Sequence, residues 1–275
     1  MSPNHEGSIY RRPQESMSEA IWDKLEANFL ALRLHLGERV FSAPTQAVFQ
    51  AEYADTAQNV RKVLVRVFRD DKRSSSERLN RLLEATYFEH PHLVRYIQAG
   101  TLQTDEDIIT YAITERTDTW IARSLAAEQA VAFAKHVLSG LEYLHAKNLV
   151  YCVLCPHTVV PGGGDWKLSD FSQLRVAGVD MTDEVLSLAE TLDTSPPEAA
   201  EGVISPAWDV WSFGQTLWKV LDGHRSNTAD PFKAVLLACL NFNPSLRPTL
   251  NQLSALLESA ESSALNRGIS AAAKA

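Results

Sequence analysis

Cys152 and Cys155 stand two residues apart, with His157 just beyond, in a stretch from 148 to 175 that gathers the side chains able to do chemistry. A C-x-x-C pair suits thiol–disulfide exchange or one half of a zinc site. Zinc takes four ligands in a tetrahedron, yet Cys239 is the only other cysteine and no second cluster has suitable spacing. Thiol exchange wants a lowered thiolate pKa, and no helix opens at Cys155–Pro156 to supply one. The pair therefore reads as small apolar filling. Asp170 is the sole acid of the stretch apart from Asp165, which lies in a glycine turn. Gly162–Gly164 is not followed by the Lys-Ser/Thr and helix of a phosphate-binding loop, and fits a tight turn between strands.

The surrounding elements must hold this stretch. Residues 126–145 carry Ala130, Phe133, Ala134, Val137, Leu138, Leu141 and Leu144 on one broad face, the pattern of a buried helix. Short strands follow at Leu149–Val150, at Val159–Val160 and over 166–168, with a turn at Pro156. Residues 208–221 are almost wholly apolar and too short for a membrane, so they want burial on all sides. Two further helices, 232–240 and 250–257, flank a turn over 243–248.

Upstream the pattern differs. A helix over 19–29, capped at Ser18, presents Ile21, Trp22, Leu25 and Phe29. Three runs of period two follow, built on Leu32, Leu34 and Leu36, on Ala47, Phe49, Ala51 and Tyr53, and on Val63, Val65 and Val67. A bend at 41–45 and a turn at 55–59 join them. Ser75–Ser76 precede a helix carrying Leu79, Leu82 and Leu83, which ends before His90–Pro91. Strands over 94–99 and 108–113 complete a five-stranded antiparallel sheet, and 120–125 reads as a short helix.

With 275 residues, 45% hydrophobic and 22% charged, the chain has the composition of an ordinary globular protein. A net charge of −8 argues against a general nucleic-acid binder. No apolar run is long enough to span a bilayer, and the polar N-terminus lacks the apolar core of a signal peptide. Three cysteines make no disulfide framework, which suits the reducing cytoplasm. A larger, membrane-tethered parent protein stays open.

The order of elements, and six motifs along it, resemble a protein kinase domain over roughly residues 31–257. The motifs are His90-Pro91-His92-Leu93-Val94, Gly140 to His145, Lys167-Leu168-Ser169-Asp170-Phe171, Ser195-Pro196-Pro197-Glu198, Asp209-Val210-Trp211-Ser212-Phe213-Gly214, and Asn243 to Thr249. The trimmed second lobe is most like bacterial Ser/Thr kinase domains. The resemblance implies an α+β, bilobal fold. Residues 1–18 would be a flexible lead, 19–113 a small five-stranded lobe with one main helix, 114–258 a mostly helical lobe, and 259–275 a frayed tail.

Where the family carries HRDLKPEN, this chain reads Tyr151 to Thr158. The resemblance puts Val153 at the catalytic-base position, Cys155 at the lysine and Thr158 at the metal-binding asparagine. Cys152 replaces the arginine that pairs with a phosphorylated activation segment. Gly37 is the one glycine left where a glycine-rich loop is due, and Ala43 and Pro44 occupy its tip. Arg66 stands for the strand lysine, Arg81 for the helix glutamate (Glu84 if the register shifts), and Tyr111 for the residue walling the adenine pocket. Asp170 keeps the metal-binding aspartate position, in Asp-Phe-Ser. Glu198 and Arg247 match a structural ion pair, and Asp209 an acceptor of backbone N–H groups.

The expectation is a pseudokinase that binds or regulates another protein, with no catalytic residue, metal or cofactor. Arg66 and Asp170 are the vestigial nucleotide candidates. A nucleotide-responsive switch through those two residues is the alternative, and an atypical residual Ser/Thr kinase a third.

Overall fold

The computed structural model describes residues 19–43, 45–54, 59–103, 108–118, 125–179, 193–201, 204–221 and 232–272. The expected turn at 55–59 and short helix at 120–125 lie outside these residues except for Asn59 and Leu125. The fold is α+β and bilobal, with a five-stranded antiparallel sheet in the first part and mostly helices in the second. By its contacts the chain divides into two compact units. One runs to Leu79 and resumes over Ile97–Glu115; the other comprises Asn80–Tyr96 and the chain from Arg116 onward.

In the first unit, α1 (Glu19–Ala31) precedes β1 (Leu34–Ala43), β2 (Gln46–Ala54) and β3 (Val60–Asp70). After α2 (Lys72–Ala85) come β4 (Tyr96–Gln103) and β5 (Ile108–Glu115), giving the strand order β1-β2-β3-β5-β4. Strand alternation sorts the side chains. Val63, Val65 and Val67 of β3 join Ile109, Tyr111 and Ile113 of β5 and Phe49 of β2 in a core closed by Leu25 and Phe29 of α1. The opposite face carries Arg66, whose register partner on β5 is Ala112.

Several boundaries differ from the sequence expectation. The bend placed at 41–45 is narrower: 41–43 are paired strand, with Phe41 opposite Val48 and Ala43 opposite Gln46, and Thr45 is in the turn. The helix placed after Ser75–Ser76 starts at Lys72, because Asp71 Oδ1 accepts the Ser74 and Arg73 N–H groups at 2.8 and 2.9 Å. The Ser74 bonds, chiefly, hold the Asp71 carboxyl below its ordinary range. Ser75 is then buried inside the first turns, where Thr110 Oγ1 meets its hydroxyl at 3.3 Å.

The second unit is built on α3 (Ala127–His145) and α4 (Pro206–Val220), with α5 (Lys233–Cys239) and α6 (Leu250–Ala272) packed around them. Two small ladders lie between. β6 (Leu149–Val150) pairs with β9 (Arg175–Val176), and β7 (Val159–Gly162) with β8 (Asp165–Leu168). The β7–β8 turn is the two-residue kind that requires positive φ at both positions, supplied by Gly163 and Gly164 at 67° and 92°. α6 continues to Ala272, past the thinning of large apolar residues after Leu257, through a run rich in alanine that favours helix.

α4 is buried nearly all round, so its polar side chains must find partners inside. Asp209, Ser212 and Thr216 recur at i, i+3 and i+7 and form one internal stripe. Ser212 donates to the Thr194 carbonyl at 2.9 Å and Thr216 to the Leu154 carbonyl at 3.3 Å. Gly214 admits α5: a Cβ there would lie 2.6 Å from Cys239 Cβ. Gly214→Ala is expected to lower unfolding free energy by about 1–3 kcal/mol through forced separation of the two helices, read by urea denaturation.

Candidate functional site

The loop from Tyr151 to Thr158 leaves β6 and ends in one 3₁₀ turn over Pro156–Thr158. Its path is set from α4. Asp209 is fully buried and accepts the Tyr151 N–H at 2.7 Å, the Cys152 N–H at 2.9 Å and His145 Nε2–H at 2.8 Å. Cys152 adopts φ 65°, a conformation that costs a side-chain-bearing residue about 1–2 kcal/mol. Trp208 Nε1–H donates to the Cys152 carbonyl at 3.2 Å. The loop backbone is thus clamped from both its donor and acceptor sides.

The side chains held by this frame are apolar. Val153 is 4% exposed, and Leu154 and Cys155 are buried beside it. Val153 has no proton-accepting atom. Cys155 carries a thiol that burial pushes up from its ordinary pKa, as it does those of Cys152 and Cys239, the last to about 12. The Thr158 hydroxyl is consumed inside the loop, accepting the Cys155 N–H at 3.0 Å and lying 2.9 Å from the Val153 carbonyl, to which it donates. A metal would have to break those bonds to use it.

Asp170 follows β8. Its Oδ1 accepts the Ser172 N–H at 2.9 Å, closing a local turn. Two tyrosine hydroxyls pin the same segment: Tyr151 accepts the Asp170 N–H at 3.1 Å, and Tyr96 donates to the Ser169 carbonyl at 2.9 Å and accepts the Phe171 N–H at 3.3 Å. Arg81 Nε donates to the Ser172 carbonyl at 2.7 Å and so holds backbone, while Glu84 is exposed. Sequence reasoning did not assign Tyr96 and Tyr151 these duties. The available signal was that a buried phenol needs a partner for its hydroxyl.

Val153, Cys155, Thr158, Asp170 and Asp209 are brought together in this region of the second unit. Glu198 and Arg247 form a separate pair there, with guanidinium–carboxylate contacts of 2.5 and 2.7 Å, and Arg247 also bonds the Asn241 and Ala207 carbonyls. A cleft of about 410 Å³ opens beside that pair, between His145 and Thr249, and none of the loop positions lines it. Arg66 belongs to the first unit, where its Nε is buried without a hydrogen-bond partner among the described residues.

The placement of Tyr111 is corrected. It lies on the sheet face opposite Arg66, its ring edge-on to Phe29 at 5.3 Å and its hydroxyl 3.3 Å from Gln98 Nε2. On the Arg66 face, the buried residue at the end of β5 is Thr114, opposite Leu64.

Among the described residues, His92, His136 and Asp165 are the one group of three metal-capable side chains with ligand atoms within 4.8 Å. The two imidazoles stack at 4.1 Å and 15°, so their in-plane lone pairs run in parallel planes and do not converge. His136 Nδ1 already accepts the Trp166 N–H at 3.1 Å. This is a packing arrangement unsuited to tetrahedral coordination.

Residues 30–230 match the family described as protein tyrosine and serine/threonine kinases, and the chain belongs to it. The serine/threonine-protein kinase PknL of Mycobacterium bovis is 30% identical over 191 residues, covering 66% of this chain and 43% of that protein. The serine/threonine-protein kinase mos of Xenopus laevis is 26% identical over 263 residues, covering 88% and 70%. The human tyrosine-protein kinase FRK is 27% identical over 203 residues, covering 62% and 40%. The chain therefore spans less than half the length of PknL and FRK. No helix among the described residues is long and apolar enough to cross a membrane.

Two outcomes test the site's construction. Glu198→Ala leaves the buried Arg247 guanidinium without its counter-charge and is expected to cost about 3–5 kcal/mol in chemical denaturation. In a thiol titration with an aromatic disulfide reagent, all three cysteines are expected to stay silent in the native protein and to react together on unfolding.

Proposed function

We propose that this chain is a pseudokinase domain, a member of the kinase family that has given up phosphoryl transfer and serves as a protein-binding scaffold or regulatory module in the cytoplasm, of bacterial Ser/Thr type. The observation that carries this reading is Val153. It occupies the base position and is buried among apolar neighbours, in a loop whose backbone is fully braced by Asp209 and Trp208. A hydrocarbon cannot take the proton of an acceptor hydroxyl. Cys155 at the lysine position and the internally bonded Thr158 support the same reading, as does Asp170, one of whose carboxylate oxygens is engaged by its own backbone. A lone carboxylate makes a poor magnesium site.

The retained Glu198–Arg247 pair and the Asp209 clamp serve architecture, so a shaped surface persists for a protein partner. One observation favours a second reading, a nucleotide-responsive switch. The buried Nε of Arg66, without a partner among the described residues, is a cationic donor with capacity to bind a phosphate.

Thermal melting with and without ATP and magnesium separates the two. The scaffold reading expects no saturable shift and no transfer of radiolabelled γ-phosphate to protein or peptide. A shift that vanishes in Arg66→Ala and in Asp170→Ala establishes the switch, and label transfer above a heat-killed control sinks both.

A further inference from the structure

Three imidazoles lie in a row on the second unit, at a junction of three elements. His90 and His92 come from the turn after α2, and His136 from α3. Their rings are 5.5 Å apart, edge to face, between His90 and His92, and 4.1 Å apart, stacked, between His92 and His136. The close approach has a cause in the chain. Gly140, one helical turn beyond His136, would place a Cβ 3.1 Å from the His92 carbonyl, a tight contact that its lack of a side chain avoids.

Hydrogen bonds fix which nitrogen of two rings must be bare. His90 Nδ1 accepts the His92 N–H at 3.2 Å, leaving its Nε2–H to donate to Ser139 Oγ at 3.4 Å. His136 Nδ1 accepts the Trp166 N–H of β8 at 3.1 Å, leaving its Nε2–H facing Asp165 Oδ1 at 3.7 Å. In both rings Nδ1 is the site a second proton must take. That proton would then confront a backbone N–H, and the bond would be lost. For His136 this is a side-chain bond from α3 to the β7–β8 hairpin.

We propose that His90 and His136, packed on either side of His92, form a proton-operated latch, closed while these two rings are neutral, that lets the β7–β8 hairpin come away from α3 when they are protonated. Charged groups near the row come from three elements among the described residues. The hairpin brings Asp165, and Lys167 two residues further along β8; the turn brings the exposed Glu89 beside His90. From α3 comes Tyr143, whose ring lies 5.1 Å from His90, with Lys147 Nζ 5.0 Å above it. Asp165 favours a proton on His136, but it stands beyond direct hydrogen-bond reach. Desolvation first, and then His92, hold both His90 and His136 below their ordinary 6.5.

Rings with depressed pKa contribute stability in full above about 6.5 and lose it as pH falls through and below that value. The hairpin also accepts the Asp118 N–H at the Pro161 carbonyl, 3.1 Å, and β8 leads straight into Ser169–Asp170. Its release would therefore loosen two connecting segments at once. The latch concerns regulation of the fold and stands whether or not the domain binds nucleotide.

The test compares the wild type with His90→Asn/His136→Asn, in which an amide oxygen stands near each Nδ1 and cannot titrate. Between about pH 7.5 and about pH 5.0, the wild type is expected to lose melting temperature, and the Trp166 amide to lose about tenfold or more in hydrogen-exchange protection. The double variant keeps both nearly constant. An equal pH dependence in the two proteins, or undiminished Trp166 protection in acid, overturns the proposal. Ring-nitrogen NMR of the wild type supplies a second readout, independent of the variant's folding. A neutral His136 with its proton on Nε2 that titrates below 6.5 supports the latch, and titration above 6.5 or the opposite tautomer refutes it.

Discussion

The Asp209 carboxylate, fully buried, receives two consecutive backbone N–H groups and a histidine N–H. Placing a carboxylate in a protein interior carries a desolvation cost of several kcal/mol, which three good donors offset only if their positions are fixed. The geometry this demands reaches outward. Tyr151 and Cys152 can present successive N–H groups to one carboxylate because Cys152 takes a positive φ, and the resulting kink directs the following residues back toward α4. Trp208 and Thr216 of the same helix then collect the Cys152 and Leu154 carbonyls. One helix face therefore holds the loop backbone at Tyr151, Cys152 and Leu154.

This separation of frame from content explains how the loop tolerates its residues. The contacts that set the path are backbone contacts, indifferent to whether position 153 carries a carboxylate or an isopropyl group. Val153, Leu154 and Cys155 fill the interior as small hydrophobes, which adds burial where a charged loop would need solvent or a ligand. The same logic extends to the segment after β8. Tyr96, Tyr151 and Arg81 hold its backbone, while the Asp170 side chain turns back on Ser172. Polar groups of this region are engaged in internal bonds, and apolar side chains fill the space between them.

The histidine row belongs to the same economy. The β7–β8 hairpin is short and its turn is two glycines, and several contacts hold it in the second unit, among them Trp166 edge-on to Phe133 and the backbone bonds of Leu168 with His92 and Val94. A neutral imidazole accepting a backbone N–H is one of them. Such a bond is strong at neutral pH and conditional on it, unlike the carboxylate clamp at Asp209, whose acceptor capacity does not depend on a ring staying neutral.

Much of this is legible in the chain. Alternating Val63, Val65 and Val67, the wide stripe of α3, the apolar run of α4 and the glycine pair at 163 and 164 each prescribe an element, because local periodicity and backbone sterics act over a few residues. That Val153 carries no proton acceptor is legible too, since chemistry that a side chain lacks is lacking in any fold. The start of α2 at Lys72 escapes sequence reasoning because Asp71 and Ser75–Ser76 are competing caps, and only the burial of Ser75 decides between them. Which β5 residue shares a face with Arg66 depends on strand pairing: Arg66 opposite Ala112 turns Tyr111 into the other core and leaves Thr114 on the near side. The stack of His92 on His136 brings together residues more than forty positions apart, through a helix approach that Gly140 permits. Types and periods are properties of neighbours along the chain; faces, partners and proton sites are set by neighbours in space.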